Sequence, residues 1–386
     1  MRNIIYTIIT VIILIPQIIF AEVGVTDNEI LIGSSLVLEG PAKFLGVQTK
    51  IGYETYIKKI NEEGGVNGRK IKTIFYNDNY EPTPCAENTK KLIEDDKVFA
   101  LTSYVGTPTT KIIVPMINQN KIPLIGCFTG AETFRNPLEK YILNIRASYN
   151  MECAEIINYF VDKLKLSKIA VFYQNDAYGL AGLQGTIKAL KEKKMALCAK
   201  ASYERNTLDV KEALSALKES QPEAIIMIGV YAPCAEFIKL AKKEGLKTYF
   251  HNVSFVGPDK FLETLGSDGD GVIVTQVVPL YHTPLSDFAV NELYLKDLKK
   301  YFPEEKPTSV SYEGYLNALI LVEGLKRAGK ELTREKLIES IESIKPGQLG
   351  TGIKISFSDS DHQGSDRVFV TRIEKGKYVC MCNEVK

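Results

Sequence analysis

The stretch of sequence that decides the fold is ALTSYVGTPTTKIIVPMI, residues 100–117. It opens with a short apolar run typical of a buried strand, passes through hydroxyl-bearing residues and one glycine, and continues with the spacing of a helix. The turn between strand and helix contains no Cys, His, Asp, Glu, Lys or Arg. It therefore offers no obvious catalytic group, but it offers backbone N–H groups at a helix N-terminus, where the helix dipole favours an anion.

The same strand–turn–helix unit recurs along nearly the whole chain. Before residue 145 the pattern predicts strands at 30–36, 70–77, 98–103 and 122–126, and helices at 47–65, 82–96 and 107–120. After residue 145 it predicts helices at 151–165, 179–194, 209–219 and 232–244, and strands at 168–174, 197–203, 223–230 and 248–254. Alternation of this kind is typical of parallel sheets covered by helices on both faces. Two such series predict an α/β protein with two doubly wound lobes.

Length and composition agree with an ordinary globular protein of two domains. The chain has 386 residues, of which 45% are hydrophobic and 25% charged, and a net charge of +1. A nearly neutral chain lacks the positive field expected of a nucleic-acid-binding protein, so we expect no nucleic-acid partner. Seven cysteines occur without a CxxC pair, and the three histidines are scattered, so we expect no metal site.

Known catalytic motifs are absent from the sequence. It contains no GxSxG, no GxxxxGK[ST] and no HExxH. The glycine-rich run GSDGDGV, residues 266–272, precedes a predicted strand rather than a helix, and it lacks the acidic twelfth residue of a calcium loop. We therefore expect a binding protein without a cofactor rather than an enzyme.

The N-terminus has the pattern of a targeting segment. An arginine near the start is followed by an almost unbroken apolar run and then by Ala21, which is typical of a secretory signal peptide over residues 1–21. The alternative is a membrane-anchoring helix, but the apolar run is interrupted by Pro16 and is short for a span of about 20 residues. We expect cleavage near Ala21 and a mature chain outside the cytoplasm.

Two neighbouring turns are the strongest indication of a binding site. Gly106 and Thr107 follow one predicted strand, and Thr129 and Gly130 follow the next one in IGCFTGAETFRNP, residues 125–137. Ligands of open parallel sheets bind at the carboxyl ends of the strands, so two such turns predict a pocket for a carboxylate or another small polar head. The alternative is that these hydroxyls only cap two helices.

Several stretches, in order, resemble the branched-chain amino-acid-type substrate-binding proteins of ABC importers, which are type I periplasmic binding proteins. They are VFALTSYVGTPTT, FTGAETFRNP, YILNIRASY, NDAYGLAG, FHNVSFVG, SVSYEGYLNALILVEGLKRAG and FSDSDHQGSDRVFV. The likeness spans about residues 28–374 and implies two Rossmann-like lobes joined by a hinge of three crossovers. It implies a first lobe of residues 22–145 and 279–345, and a second lobe of residues 146–278 and 346–386.

The resemblance also implies where a ligand would be held. In this family, backbone amides and a hydroxyl of the first lobe bind the ligand carboxylate. The corresponding positions here are Tyr104, Gly106, Thr107, Phe128, Thr129 and Gly130. Leucine-type receptors often have a serine at the position of Gly106, so Thr107 would have to supply the hydroxyl in this chain.

From the second lobe, the resemblance implies Tyr178 and Tyr231 as cleft residues; the alternative is that each tyrosine packs on its own lobe. Amino-acid receptors of the family bind the ligand ammonium with a Glu or Asp where this chain has Ser254. Asp270 or Glu313 could compensate. The ligand is thus either an amino acid or an acid or amide that lacks the ammonium.

The function implied by the resemblance is the capture of a small solute in the periplasm. The partners implied are the permease and ATPase subunits of an importer, and we expect a monomer. The alternative is an extracytoplasmic amino-acid or amide sensor with the same fold.

Overall fold

The structure is a computed structural model that describes residues 22–282, 288–381 and 384. The predicted signal peptide lies outside these residues. Within them, predicted and observed elements coincide over 70–77 and 107–120, whereas the helix predicted at 151–165 ends as an α-helix at Asn158 and continues as a π-helical turn over Tyr159–Lys163. The predicted α/β class with two sheets of mostly parallel strands is confirmed.

The first sheet is built entirely from the N-terminal part of the chain. Its five strands are parallel and run in the order β2-β1-β3-β4-β5. The strands are β1 (Glu29–Leu36), β2 (Lys70–Asn77), β3 (Ala100–Thr102), β4 (Leu124–Ile125) and β5 (Ile142–Leu143). The helices between them are α1 (Lys43–Glu62), α2 (Pro82–Glu94) and α3 (Thr107–Asn120). Because the strands are parallel, all their carboxyl ends lie along one edge.

The second sheet has seven strands in the order β12-β11-β10-β9-β8-β6-β7. Strands β6 to β10 are parallel where they pair, whereas β11 and β12 form an antiparallel hairpin beside β10. The strands are β6 (Ile169–Gln174), β7 (Ala199–Tyr203), β8 (Ala224–Ile228), β9 (Tyr249–Asn252), β10 (Ile273–Gln276), β11 (Phe369–Glu374) and β12 (Lys377–Cys380). The helices are α4 (Tyr149–Asn158), α5 (Ala177–Glu192), α6 (Lys211–Glu219), α7 (Tyr231–Lys243) and α8 (Pro258–Leu265).

Three further helices return to the first sheet: α9 (Ala289–Tyr301), α10 (Ser309–Ala328) and α11 (Arg334–Glu342). Helix α10 packs closely on α1, because glycines lie where the two backbones meet. A Cβ added at Gly52 would lie 1.7 Å from the carbonyl oxygen of Ser311, and one at Gly314 would lie 2.1 Å from that of Thr49. We call the first sheet with α1–α3 and α9–α11 the first lobe, and the second sheet with α4–α8 the second lobe.

The chain passes between the two lobes three times: after β5, after β10 and after α11. The first and third passages run side by side, since the Asn144 N–H donates to the carbonyl of His362 at 2.9 Å and the Gly364 N–H donates to the carbonyl of Asn144 at 2.7 Å. This arrangement agrees with the three-crossover hinge. The residue numbers at which one lobe gives way to the other stay a prediction.

Most of the described cysteines are packing residues. Four free thiols, those of Cys85, Cys127, Cys153 and Cys234, are buried, and that of Cys198 is exposed. Cys380 takes part in a disulfide.

Candidate functional site

The two hydroxyl- and glycine-bearing turns lie side by side at the carboxyl edge of the first sheet. Strands β3 and β4 are paired, and the pairing extends beyond them to Val105 and Phe128. The hydroxyls of Thr107 and Thr129 are 2.7 Å apart and both residues are buried. One hydroxyl proton is used in this bond and the second remains to be donated elsewhere.

Several backbone amides of these turns are already used inside the protein. The Gly106 N–H donates to the carbonyl of Phe128 at 3.2 Å, and the Phe128 N–H donates to the carbonyl of Tyr104 at 2.7 Å. The Thr129 N–H donates to the Cys127 carbonyl at 2.9 Å. Of the predicted amide donors, those of Tyr104, Thr107 and Gly130 donate to no backbone carbonyl within the described residues, and they are therefore the ones left for a ligand.

Both glycines of the turns lie beneath tyrosine rings. Gly106 has a φ of +105°, and a Cβ there would lie 2.5 Å from the Tyr80 ring. A Cβ on Gly130 would lie 2.6 Å from the Tyr149 ring. Because these glycines have no side chain, aromatic rings can pack directly against the backbone. In this structure the rings that do so are those of Tyr80 and Tyr149. The side chain of Tyr104 points the other way, with its hydroxyl 2.9 Å from that of Thr89 in α2.

The predicted tyrosines of the second lobe both follow strand ends. Tyr178 lies in the first turn of α5, is buried, and donates to the Gly229 carbonyl of its own lobe at 3.3 Å. Tyr231 opens α7 and donates instead across the cleft, to the Pro41 carbonyl of the first lobe. The two predicted residues therefore differ, since only Tyr231 hydrogen-bonds across the interface.

The cleft between the lobes is filled by aromatic side chains. Phe255 lies in the 3₁₀ turn Ser254–Val256 after β9 and is fully buried. Its ring centroid is 4.4 Å from that of Tyr178, 5.4 Å from that of Phe128 and 6.2 Å from that of Tyr80. A side chain of the second lobe thus inserts between two rings of the first lobe, directly beside the two turns.

Ser254 lies in a buried cluster of charged groups. It contacts the Arg146 guanidinium, and its backbone N–H and hydroxyl donate to the two oxygens of the Glu152 carboxylate at 2.7 and 2.8 Å. Thr275 donates to the same carboxylate at 2.6 Å. A carboxylate is therefore present beside Ser254, supplied by α4. Asp270 precedes β10 and lies at the opposite edge of the sheet, so the fold does not bring it to this site.

Arg146 lies between two carboxylates. Its guanidinium is 3.4 Å from Glu152 and 3.4 Å from Glu313, and the side chain is 3% exposed. Burial raises the pKa of Glu313 to about 7, since the attraction of Arg146 does not fully offset the loss of solvent and Glu152 adds repulsion. The Nε atom of Arg146 makes no hydrogen bond within the described part of the chain, whereas its Nη1 atom is the one that faces Glu313. The Tyr149 hydroxyl lies close to the Thr129 side chain and the Gly130 amide. A buried guanidinium N–H without an acceptor marks a place where a ligand could supply one.

The rim of the cleft is held by polar contacts between the lobes. The Glu81 carboxylate of the first lobe accepts from Arg205 at 2.6 Å and from Asn206 at 2.7 Å. The Gln174 amide donates to the Tyr80 hydroxyl at 3.3 Å. These contacts connect the two lobes in a closed arrangement.

A groove leads from solvent to the two turns. It is a cavity of about 600 Å³ between α3 and α5, lined by Thr107 and Lys111 on the first-lobe side and by Asp176 and Lys188 on the second-lobe side. A small solute therefore has a polar route to the Thr107 end of the cleft.

Sequence reasoning did not identify four residues at this site: Tyr80, Arg146, Glu152 and Phe255. Arg146 carried a usable signal, because it directly follows an apolar strand at the edge where the site was expected. An acidic residue in the first turn of a helix is commonplace, so the sequence does not single out Glu152 as a site residue. An aromatic residue after a buried strand is typical of a core position, so the sequence does not single out Phe255 either.

Two structural features concern membrane spans and metal sites. Within the residues that the structure describes, no helix is long and apolar enough to cross a membrane. The same residues contain no group of three His, Cys, Asp or Glu side chains that could hold a metal ion.

Comparison with known proteins identifies the family. A family model described as "Periplasmic binding protein" matches residues 29–377. The Leu/Ile/Val-binding protein homolog 3 of Brucella melitensis is 22% identical over 367 residues, covering 93% of this chain and 95% of that protein.

Solved structures agree with this assignment. A possible leucine/isoleucine/valine-binding protein from Rhodopirellula baltica has a TM-score of 0.87 and 30% identity, over 92% of this chain and 96% of its own. A branched-chain amino acid ABC transporter protein from Thermus thermophilus, solved with bound valine, has a TM-score of 0.82 and 21% identity, over 94% and 96% of the two chains. The predicted resemblance is therefore confirmed, and the chain belongs to the periplasmic binding protein family.

Proposed function

We propose that this protein is the solute-binding component of an ABC importer, and that it captures a small solute between its lobes outside the cytoplasm. The proposal rests on one observation. The carboxyl ends of strands from both sheets meet around buried hydrogen-bond donors that are not all used within the protein. Family membership supports a binding role rather than catalysis. The partners would be a permease and an ATPase.

The head of the solute would lie against the first lobe. The surplus hydroxyl proton of the Thr107–Thr129 pair and the amides of Thr107 and Gly130 are hydrogen-bond donors there. Arg146 Nε from the passage between the lobes and the Tyr149 hydroxyl from the start of α4 would add further buried donors. A carboxylate or an amide carbonyl is the acceptor that such a set of donors fits.

The second lobe would close over the rest of the solute. Tyr231 hydrogen-bonds to the first lobe in the closed arrangement, and the Tyr178 ring packs against Phe255 within the second lobe. A solute that contacts both lobes stabilises the closed form over the open one. Closure of the two lobes would therefore distinguish the solute-bound protein from the free protein.

A thermal-shift and calorimetric screen of the purified mature protein tests this function. The screen covers aliphatic and aromatic amino acids, their amides and short carboxylic acids. A bound solute at 100 times its dissociation constant should stabilise the protein by about 2.7 kcal/mol. Absence of binding to every solute in the screen, or chemical turnover of any solute, would contradict the proposal.

Two further measurements test the cellular role. N-terminal sequencing of the protein recovered from the periplasm should begin at Glu22, as cleavage after Ala21 predicts. Solute-loaded protein should stimulate ATP hydrolysis by the cognate permease–ATPase complex in proteoliposomes. A full-length N-terminus, or no stimulation despite tight solute binding, would favour another role such as sensing.

A further inference from the structure

The side chain of Phe255 occupies a slot that the first lobe provides. Two of its three ring neighbours, Tyr80 and Phe128, belong to the first lobe, whereas Phe255 itself follows β9 of the second. All three residues are 1% exposed or less. The ring is therefore buried by contact with the opposite lobe as well as by its own.

The slot on the first lobe is shaped for a flat ring. One wall is the Tyr80 ring, which lies directly over the backbone of Gly106. The other wall is the Phe128 ring, over which the Arg146 guanidinium lies at 4.8 Å from the centroid. Ring neighbours at 5.4 and 6.2 Å are within the range in which tilted aromatic pairs attract one another.

The far end of the slot carries buried hydrogen-bond donors. Tyr149 packs on Tyr178 with ring centroids 5.4 Å apart, and its buried hydroxyl lies close to the Thr129 side chain and the Gly130 amide. Arg146 Nε, which makes no hydrogen bond in the described chain, lies in the same region, since the guanidinium is 5.8 Å from the Tyr149 ring centroid. Glu152 and Glu313 place two carboxylates beside the one guanidinium, so the site favours a hydrogen-bond acceptor over additional negative charge.

Opening of the lobes would withdraw Phe255 from this slot, because its backbone moves with the second sheet. The Tyr80 and Phe128 rings would then face the open cleft, next to the two hydroxyl-bearing turns. An exposed pair of aromatic walls beside polar donors attracts a solute that has both an apolar ring and a polar head.

We propose that Phe255 occupies, in the closed arrangement described above, the place that the ring of a bound solute would take, and that the site selects solutes with a single six-membered aromatic ring and an acceptor-bearing head. This inference rests on the proposed solute-binding function and narrows its ligand class. It makes Phe255 a specificity-determining residue, because every solute must displace the protein's own phenyl group before the lobes can close.

The variant Phe255→Ala tests the inference, with Phe237→Ala as the matched control. Phe237 is equally buried, but it packs on Phe172 inside the second lobe, with ring centroids 4.3 Å apart. Calorimetry would measure the binding of benzoate, phenylacetate and L-phenylalanine, with cyclohexanecarboxylate and L-leucine as non-aromatic probes. Should Phe255→Ala fold poorly, Phe255→Leu removes the ring while keeping an apolar side chain.

We expect at least one of the aromatic acids to bind Phe255→Ala ten times more tightly than the wild type, because an emptied apolar slot accepts a free aromatic ring. The non-aromatic probes and the Phe237→Ala control should show no such gain. Without solute, X-ray scattering should give a larger radius of gyration for Phe255→Ala than for wild type or Phe237→Ala.

The possible outcomes distinguish a failure of this inference from a failure of the proposed solute-binding function. A folded Phe255→Ala that binds no aromatic acid, or that gains equally for cyclohexanecarboxylate, overturns the assignment of the slot while leaving solute binding intact. Failure of every variant and the wild type to bind any solute contradicts the proposed function, and this inference with it.

Discussion

The two lobes present unlike surfaces to each other. The first lobe contributes backbone, small residues and hydroxyls at Gly106, Thr107 and Thr129, held in place by the pairing of β3 and β4, together with the two rings that form the slot. The second lobe contributes side chains that reach across, those of Phe255 and Tyr231. A fixed hydrogen-bonding surface suits recognition of a head group, and rings that move with their sheet suit closure over it. The contrast suggests that selectivity and closure can be altered separately.

The largest effect is expected at the charged cluster between the lobes. Arg146→Met keeps the side-chain volume but leaves Glu152 and Glu313 buried without their counter-charge, so we expect a loss of about 3–5 kcal/mol in the free energy of unfolding. Urea denaturation at pH 7 measures it. Arg205→Met is the control, because its ion pairs with Glu81 and Asp176 lie at the partly exposed rim and should contribute only about 1 kcal/mol. Equal losses in both variants would show that the buried cluster is no more important than the rim.

The same cluster predicts a pH dependence of stability. The pKa of Glu313 is about 7 in the folded protein against an ordinary value of 4.5, so the folded state binds more protons between these values. Its contribution to stability is therefore complete below pH 4.5 and is lost as the pH rises through about 7, by up to about 1.4 kcal/mol per pH unit.

Glu313→Gln should flatten this part of the profile, measured as the urea midpoint between pH 5 and 8. The comparison must be made as a difference from the wild type, because burial also raises the pKa of Asp78, to about 6, and gives a slope of the same sign. Parallel profiles for wild type and variant would exclude Glu313 as the titrating group.

The hydroxyl pair of the first lobe should affect binding more than folding. Thr129→Val removes a partner of the Thr107 hydroxyl, and we expect binding of the identified solute to weaken by about 1–3 kcal/mol. Thr110→Val is a close control, because that hydroxyl is equally buried on α3 but has no hydrogen-bond partner in the described structure. Calorimetry in which both variants bind alike would place the head group elsewhere.

The smallest effect is expected at the rim. Glu81→Gln weakens the contacts with Arg205 and Asn206, which hold the lobes together from a partly exposed position, so the closed form should lose about 1 kcal/mol or less. X-ray scattering without solute should show a modest increase in the radius of gyration that disappears when solute is added. An unchanged radius would indicate that the aromatic slot alone keeps the lobes closed.

Much of the fold was predictable because its signals are local. Apolar runs and helical spacing located β2 and α3 to the residue, and hydroxyl-bearing strand ends located the two turns that the structure brings together. The end of α4 was not predictable, since nothing in the local pattern distinguishes a π-helical turn at Tyr159 from the continuing helix.

The composition of the site was only partly predictable, for a physical reason. Glu152 and Ser254 are separated by about a hundred residues in sequence and meet only because α4 and β9 are assembled in one lobe. Whether Phe255 faces its own core or the opposite lobe depends on how the lobes close, which no short stretch of sequence specifies. The predicted ligand contacts at Thr107, Thr129 and Tyr231 stay predictions until a solute is identified.

The hairpin of β11 and β12 has a consequence for synthesis. Strand β11 pairs along the whole of β10, which is made about a hundred residues earlier. Until β11 leaves the ribosome or the export channel, β10 is an open edge with unpaired backbone groups, and such edges promote aggregation. A chain truncated before residue 369 should therefore aggregate or be degraded rather than fold as a shortened receptor.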